Sequence, residues 1–299
     1  MSERWLEHTV TAEEAGRTVQ EVLTGPMQVS RRMIQRLTRA KGILLNRRAA
    51  FLGRKVKAGD VVAARVGVDE AAGLAPVEMP LSVVHEDGEV LVIDKPPFLL
   101  VHPTSPEQRE TLSHGVAHHF ARVGVRAKVR PVHRIDRDTS GLVLFAKTAL
   151  SHSRLDPQLH PGALERGYLA LVDGVVERDS GIIDAPIGRD PRNPQLRVVR
   201  PDGDAARTRW RVVERFPRAT LLALELETGR THQIRVHMMH FGHPVLGDRQ
   251  YGRAGTSLIR RQALHAARLS FTHPSTGERM TFEAPLPGDM AELVETSRK

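Results

Sequence analysis

The chain has 299 residues, 40% hydrophobic and 26% charged, with 44 Lys/Arg against 35 Asp/Glu and a net charge of +9. That balance is ordinary for a globular protein, and no apolar run of about 18 residues is present to cross a membrane, so no membrane partner is expected. The absence of cysteine removes disulfides, thiolate nucleophiles and Cys-ligated zinc or iron–sulfur centres, while a pI near 10.5 suggests a polyanionic partner.

The N-terminus, MSERWLEHTV, carries acidic and polar residues where a signal peptide needs a basic start and an apolar stretch. The expected location is therefore the cytoplasm. Length favours two unequal domains over one compact unit, and the charge is concentrated in the first of them. Residues 1–67 hold 13 Lys/Arg and 6 acids, or +7 of the total +9. Ten of these basic residues and no acid fall between Ser30 and Lys57, a density that suits phosphate contacts better than a solvated face of mixed sign. Arg31, Arg32, Arg36, Arg39, Lys41, Arg47 and Arg48 are the candidate RNA contacts.

Ser30 reads as the N-cap of a helix with Met33, Ile34 and Leu37 on one face and Gly42 as its terminator, which turns the arginines outward. Ile43 to Asn46 reads as a short strand, and Gly59-Asp60 as a turn into a second strand over 61–68. This order of elements resembles the S4 RNA-binding domain, a small α/β unit, with a core at 16–68 inside a domain spanning 1–68. A basic helical cap with no role in RNA binding is the plainer alternative. Residues 69–80 turn acidic, small and Pro-containing and read as a linker, and 81–299 suits a single catalytic domain. Within it Val90–Asp94, Gly141–Lys147, Tyr168–Val172, Thr208–Val213 and Leu221–Glu227 read as strands separated by helices and Pro/Gly-rich loops, an α+β domain on a mixed sheet.

The densest polar segment, His133-Arg134-Ile135-Asp136-Arg137-Asp138-Thr139-Ser140-Gly141, abuts the apolar strand that follows it. A kinase catalytic loop does not fit, because Asp136 comes one residue late and neither a Gly-rich phosphate loop nor Asp-Phe-Gly accompanies it. An aspartic-protease reading of Asp138-Thr139-Ser140-Gly141 lacks the second loop that supplies the paired carboxylate. A salt-bridged structural turn stays open. The segment resembles the signature of the RluA family of pseudouridine synthases, His-Arg-Leu-Asp-x-x-Thr-Ser-Gly, with Ile in place of Leu. The likeness extends over about 81–299, through Val90 to Pro96, Glu165-Arg166-Gly167-Tyr168-Leu169-Ala170, Gly229 to His237, Gly242 to Asp248 and Leu264-His265-Ala266.

The resemblance implies the pseudouridine synthase fold on a mixed, mainly antiparallel sheet, with Asp136 as the catalytic aspartate, Tyr168 as the active-site tyrosine and Arg235 as the arginine paired with the acid. It implies that Arg134 helps displace the target base, and that His133, Thr139, Arg230, Gln233 and Ile234 line the substrate site. Many relatives have Lys two residues before the tyrosine, where this chain has Arg166 followed by Gly167. The chemistry needs such groups: uridine becomes pseudouridine when N1–C1′ breaks and C5 is joined to the same ribose, with nothing oxidised and no cofactor consumed. A carboxylate can attack C1′ or take the C2′ proton, and a neighbouring guanidinium favours its ionised form. Extruding the base costs a few kcal/mol of stacking, a cost that phosphate contacts can offset.

Fifteen histidines raise the question of a metal, above all His232, His237, His240 and His243 near Arg235 and the pair His114 and His118. No zinc-protease motif accompanies the pair. Residues 231–241 read as a helix capped by Thr231, with Ile234, Met238 and Phe241 buried and its histidines spread around the axis, so no metal is expected. A non-catalytic S4-type RNA-binding protein is the alternative function. A uridine C5 methyltransferase is set aside because its thiolate is missing. The RNA, ribosomal in preference to transfer, and the uridine within it are not legible in the residues, and monomer is the default assembly.

Overall fold

A computed structural model describes residues 5–66, 73–105, 107–125, 127–160, 162–252 and 259–299. Two expectations reach past it: the end of the strand drawn over 61–68 and the first part of the linker, 69–72, lie outside the described residues.

The N-terminal unit is an antiparallel sheet in the order β1-β4-β2-β3, formed by β1 (Trp5–Thr9), β2 (Ile43–Leu45), β3 (Arg48–Ala49) and β4 (Val61–Arg65). Helices α1 (Val19–Thr24) and α2 (Arg31–Arg39) put Val19, Val22, Leu23, Met33, Ile34 and Leu37 into one apolar cluster with Ile43, Val62 and Ala64 of the sheet. Ser30 caps α2 by accepting the Met33 N–H at 3.3 Å. Gly42 is not the left-handed terminator expected of it. The helix ends at Arg39, and Lys41 takes the left-handed conformation at φ 50. Gly42 matters for clearance instead, because a Cβ there would lie 3.2 Å from Leu37 Cδ2 and 3.3 Å from Arg65 Cβ. The short β2–β3 hairpin turns through Asn46 and Arg47, both at positive φ.

From Gly73 the chain runs extended past α3 (Leu112–Arg122), where the Val77 N–H donates to His114 O at 3.2 Å. The larger unit is a ten-stranded sheet. Its strands are β5 (Ser82–Glu86), β6 (Val90–Lys95), β7 (Arg130–Pro131), β8 (Ser140–Ala146), β9 (Glu165–Asp173), β10 (Ser180–Asp184), β13 (Arg207–Arg215), β14 (Ala219–Leu226), β15 (Leu264–Thr272) and β16 (Arg279–Glu283). A separate hairpin pairs β11 (Ile187–Arg189) with β12 (Arg197–Val199). The main order is β10-β13-β14-β9-β15-β8-β6-β5, with β16 joined to β15 and β7 to β8. Strand β6 is a continuous apolar run because both its faces are covered. Leu91 and Ile93 join Leu112, Val116 and Phe120 of α3, while Val90 and Val92 join Phe271 and Leu155 on the other side.

Every pairing of the main sheet is antiparallel except β8 with β15, which touch over only His265–Ser140 and Ala266–Gly141. The strands come so close there that a Cβ on Gly141 would lie 2.3 Å from Ala266 O, and Gly141 itself sits at φ +115. Only glycine fits, which gives the last residue of the polar segment a structural reason. Three further helices complete the fold: α4 (Ala149–Leu155), α5 (Gln233–His240) and α6 (Gly288–Ser297). Helix α4 joins the two units, because its Leu150 is buried in the N-terminal cluster. Arg154 donates from Nη2 to Met27 O at 2.9 Å and from Nη1 to Pro274 O at 2.8 Å.

Candidate active site

Asp136 lies on the loop from β7 to β8, just ahead of Ser140 and Gly141, where β8 meets β15. The Thr139 N–H closes a turn onto Asp136 O at 3.2 Å, and Gln262 Nε2 donates to Thr139 Oγ1 at 3.2 Å. Two buried cations support this loop from beneath. Lys95, at the end of β6 and fully buried, donates to Pro96 O at 2.8 Å and Arg137 O at 3.0 Å. Arg261 holds Asp289 of α6 through Nε at 2.7 Å and Nη2 at 2.8 Å, and its Nη1 donates to Asp138 O at 3.3 Å. The backbone around Asp136 is thus fixed by partners remote in sequence, the kind of support that precise positioning requires.

Burial pushes Lys95 down to about 7, with the Asp136 and Asp138 charges opposing the shift. From about pH 7 towards 10.5 the unfolded chain therefore holds a proton that the folded chain has released, and stability rises with pH through that window. The stability of the wild type relative to Lys95→Met should grow between pH 7 and pH 9 by up to about 1.4 kcal/mol per pH unit, read from urea midpoints. A difference that does not change with pH would contradict this.

Arg235 projects from the first turn of α5. Its Nη1 donates to Asp136 Oδ2 at 3.1 Å, its Nε to Asp248 Oδ2 at 2.6 Å, and its Nη2 to Asp248 Oδ1 at 2.9 Å and Gln250 Oε1 at 2.8 Å. The Asp248 side chain is wholly buried and also accepts the Gln250 and Tyr251 N–H groups. Tyr251 lies under the guanidinium, 4.9 Å from ring centroid to Cζ. Burial disfavours the Arg235 charge, yet the Asp248 hydrogen bonds and the Asp136 and Asp248 carboxylates outweigh it and hold its pKa above the ordinary arginine value. Two of the three guanidinium nitrogens, Nε and Nη2, are occupied by Asp248 and Gln250, and the third is aimed at Asp136.

Tyr168 on β9 is buried, 6% exposed, and burial pushes its hydroxyl up to about 12, with Asp136 adding to the shift and Arg166 opposing it. At neutral pH the phenol keeps its proton, so the ring face is its most available feature. The cavity between these groups measures about 340 Å³ and is lined by Asp136, Tyr168 and Arg235 together with His133, Arg134, Thr139, Arg230, Gln233 and Ile234. That size is at the lower end for a small-molecule site. Burial, then the Arg166 charge, pushes His133 down to about 3, and its Nε2 accepts the Leu144 N–H at 3.2 Å.

All nine residues expected from the sequence at the catalytic and substrate site line one cavity, though not in equivalent settings. Arg134 and Arg230 are exposed at its edge. Gln233 is 2% exposed and engaged within the protein: it accepts from Thr228 Oγ1 and the Arg230 N–H, and donates to Arg207 O and Thr208 Oγ1. It holds the loop ahead of α5 in place. That helix starts differently from expectation, since the N-cap is His232 at φ 58 and not Thr231. The turn lets His232 Nδ1 meet the Tyr251 hydroxyl at 2.9 Å. His237 bridges Thr208 Oγ1 and Ala185 O, and His243 Nδ1 meets Asp173 O. Among the described residues no group of three or more His, Asp or Glu is arranged to hold a metal ion.

Sequence reasoning assigned no role to Lys95, Asp248, Tyr251 or Arg261. One signal was available for Tyr251, because the chain has only two tyrosines and both are at this site. The basic residues of the N-terminal unit lie elsewhere: Arg31, Arg32, Arg39, Lys41, Arg47 and Arg48 are exposed and Arg36 is half-buried.

The fold is that of pseudouridylate synthases. Solved structures of human RNA pseudouridylate synthase domain containing 1 and 4 each cover 73% of this chain, and 95% and 93% of their own, at TM-score 0.58 and 23% and 20% identity. Residues 89–240 match the RNA pseudouridylate synthase family, a span that includes Asp136, Tyr168 and Arg235, and the chain belongs to that family. An uncharacterised RNA pseudouridine synthase of Bacillus subtilis, YlyB, is 44% identical over 90% of both chains. The ribosomal large subunit pseudouridine synthase D of Nitrosomonas europaea is 39% identical over 99% of this chain and 89% of its own, and that of Vibrio cholerae 40% identical over 80% and 78%. The protein is an RNA pseudouridine synthase. Among the described residues no helix is long and apolar enough to cross a membrane.

Proposed function

We propose that the protein converts a uridine of large-subunit ribosomal RNA to pseudouridine in the cytoplasm, acting as a monomer, with Asp136 as nucleophile or base and neither cofactor nor metal. The observation that carries the mechanism is the Asp136–Arg235 hydrogen bond at 3.1 Å, with Tyr168 lining the same cavity. The hydrogen bond from Arg235 orients the Asp136 carboxylate, so that it can attack C1′ or take the C2′ proton. The Tyr168 ring gives the detached uracil a face to stack on, and Arg134, exposed at the edge of the cavity, fills the place that the flipped base leaves. The ribosomal assignment rests on the relatives named for that substrate. Mapping pseudouridine by position in total RNA from cells with and without the gene tests it, and a site lost from transfer RNA alone would overturn it.

The N-terminal unit, residues 1–68, is proposed as an S4-like RNA-binding domain. None of Arg31, Arg32, Arg36, Arg39, Lys41, Arg47 and Arg48 makes an ion pair among the described residues. Deleting the domain would expose Leu150, so substitution is the cleaner test. Changing Arg31, Arg32 and Arg39 together to Ala should weaken RNA binding and lower the slope of log K against log salt by about 0.7–0.9 for each phosphate no longer neutralised. An unchanged slope would show that these arginines do not meet phosphate.

A further inference from the structure

Five Lys or Arg side chains are buried among the described residues: Lys95, Lys147, Arg166, Arg235 and Arg261. Four of them are held by carboxylates or backbone carbonyls, Lys147 through Glu86 and Asp87 O and the others as described above. Arg166 is the exception. It is 9% exposed, its Nε is buried without a partner, and its side chain makes no hydrogen bond or ion pair among the described residues. A buried cation left without a partner destabilises the fold, and such groups persist where function needs them.

The strand places this cation. Arg166 and Tyr168 are two apart on β9, so both side chains emerge on the same face, and both line the cavity. Opposite, Gly229 gives room to the guanidinium, since a Cβ there would lie 2.6 Å from Arg166 Nη1. Its charge is felt at the Tyr168 hydroxyl and at the His133 ring. The phosphates of an extruded nucleotide stay with the strand at the mouth, where the exposed Arg134 and Arg230 already stand. What enters beside Tyr168 is the base.

We propose that Arg166 is a catalytic residue that binds the departing uracil through a ring carbonyl oxygen and stabilises its negative charge; this rests on the reaction proposed above. When N1–C1′ breaks, its electron pair leaves with the ring and spreads over N1, O2 and O4. The electron-poor ribose is met by Asp136, either through a bond from the carboxylate to C1′ or by transfer of the C2′ proton to it. After the ring turns, C5 donates a pair to C1′ while Asp136 departs, or the C2′ proton returns. The C5 proton then passes to solvent and N1 takes one up, so the product is an isomer of the substrate. A guanidinium beside the stacked ring acts mainly while that charge exists, as donors to a developing oxyanion do.

Arg166→Met should lower kcat by ~10²–10³-fold with RNA affinity unchanged, and its Tm should equal or exceed that of the wild type. Arg166→Lys should recover part of the rate. On RNA carrying 5-fluorouridine, whose more acidic ring is the better leaving group, the single-turnover N1–C1′ cleavage defect of Arg166→Met should shrink several-fold. Weaker RNA binding at unchanged kcat, with a flatter salt dependence, would identify a phosphate contact and overturn the proposal. So would a large fall in Tm, which would mark a structural role, or a defect equal on both substrates. Failure of the wild type itself to isomerise uridine would count against the reaction proposed above, separately from Arg166.

Discussion

Asp136→Asn is expected to lower turnover by at least ~10⁴-fold, the scale seen when the central group of a catalytic unit is removed, while RNA affinity stays within a few-fold of wild type. The substitution keeps the shape of the side chain, and the amide oxygen can still accept from Arg235 Nη1, now 3.1 Å from Asp136 Oδ2. The loop itself is held by Lys95 and Arg261 through the carbonyls of Arg137 and Asp138, so its course should not change. Only the charge and nucleophilicity of the carboxylate are lost. Single-turnover rates and filter-binding affinities on the same RNA check both halves. A variant within tenfold of the wild-type rate would remove Asp136 from the chemistry.

The second large effect belongs to a residue that never meets the substrate. Asp248→Leu should cost about 3–5 kcal/mol of stability, because it leaves the buried Arg235 guanidinium without the carboxylate that occupies its Nε and Nη2. Turnover should fall as well, since Nη1 is aimed at Asp136 only while the rest of the fork is pinned. Combining it with Arg235→Met removes the stranded charge and should restore much of the stability, while activity stays low. Urea midpoints and rates for the two single variants and the double variant give the comparison. A single variant within 1 kcal/mol of wild type would contradict the buried-charge argument.

How much of this was legible in the sequence depends on the range of the interaction. Strands β6, β8, β13 and β14 were found within one or two residues because β-branched and apolar runs mark them locally, while β9 begins at Glu165, three residues before the Tyr168 start read from the sequence. Ser30 was found because an N-cap acts three residues away. Helix ends were read less well: Gly42 looked like the terminator of α2, yet Lys41 takes the left-handed turn, and Thr231 looked like the cap that His232 supplies. Both errors arise where a neighbouring element decides the backbone, Arg65 of β4 in one case and Tyr251 in the other.

The polar segment around Asp136 stood out because its residues are contiguous. Its supports did not. Arg261 reaches Asp138 from 123 positions away and Lys95 reaches Arg137 from 42, and no local pattern announces either. Arg166 was visible as a charge before Tyr168, but only its burial and its lack of a partner give it a role to test.

The most direct measurement of the central claim is tritium release from RNA labelled at uridine C5, using purified protein in the presence of a chelator and with no added cofactor. The account predicts that wild type releases one tritium to water per pseudouridine formed, and that Asp136→Asn releases none above background. Release that requires an added metal or cofactor, or release undiminished in Asp136→Asn, would contradict it.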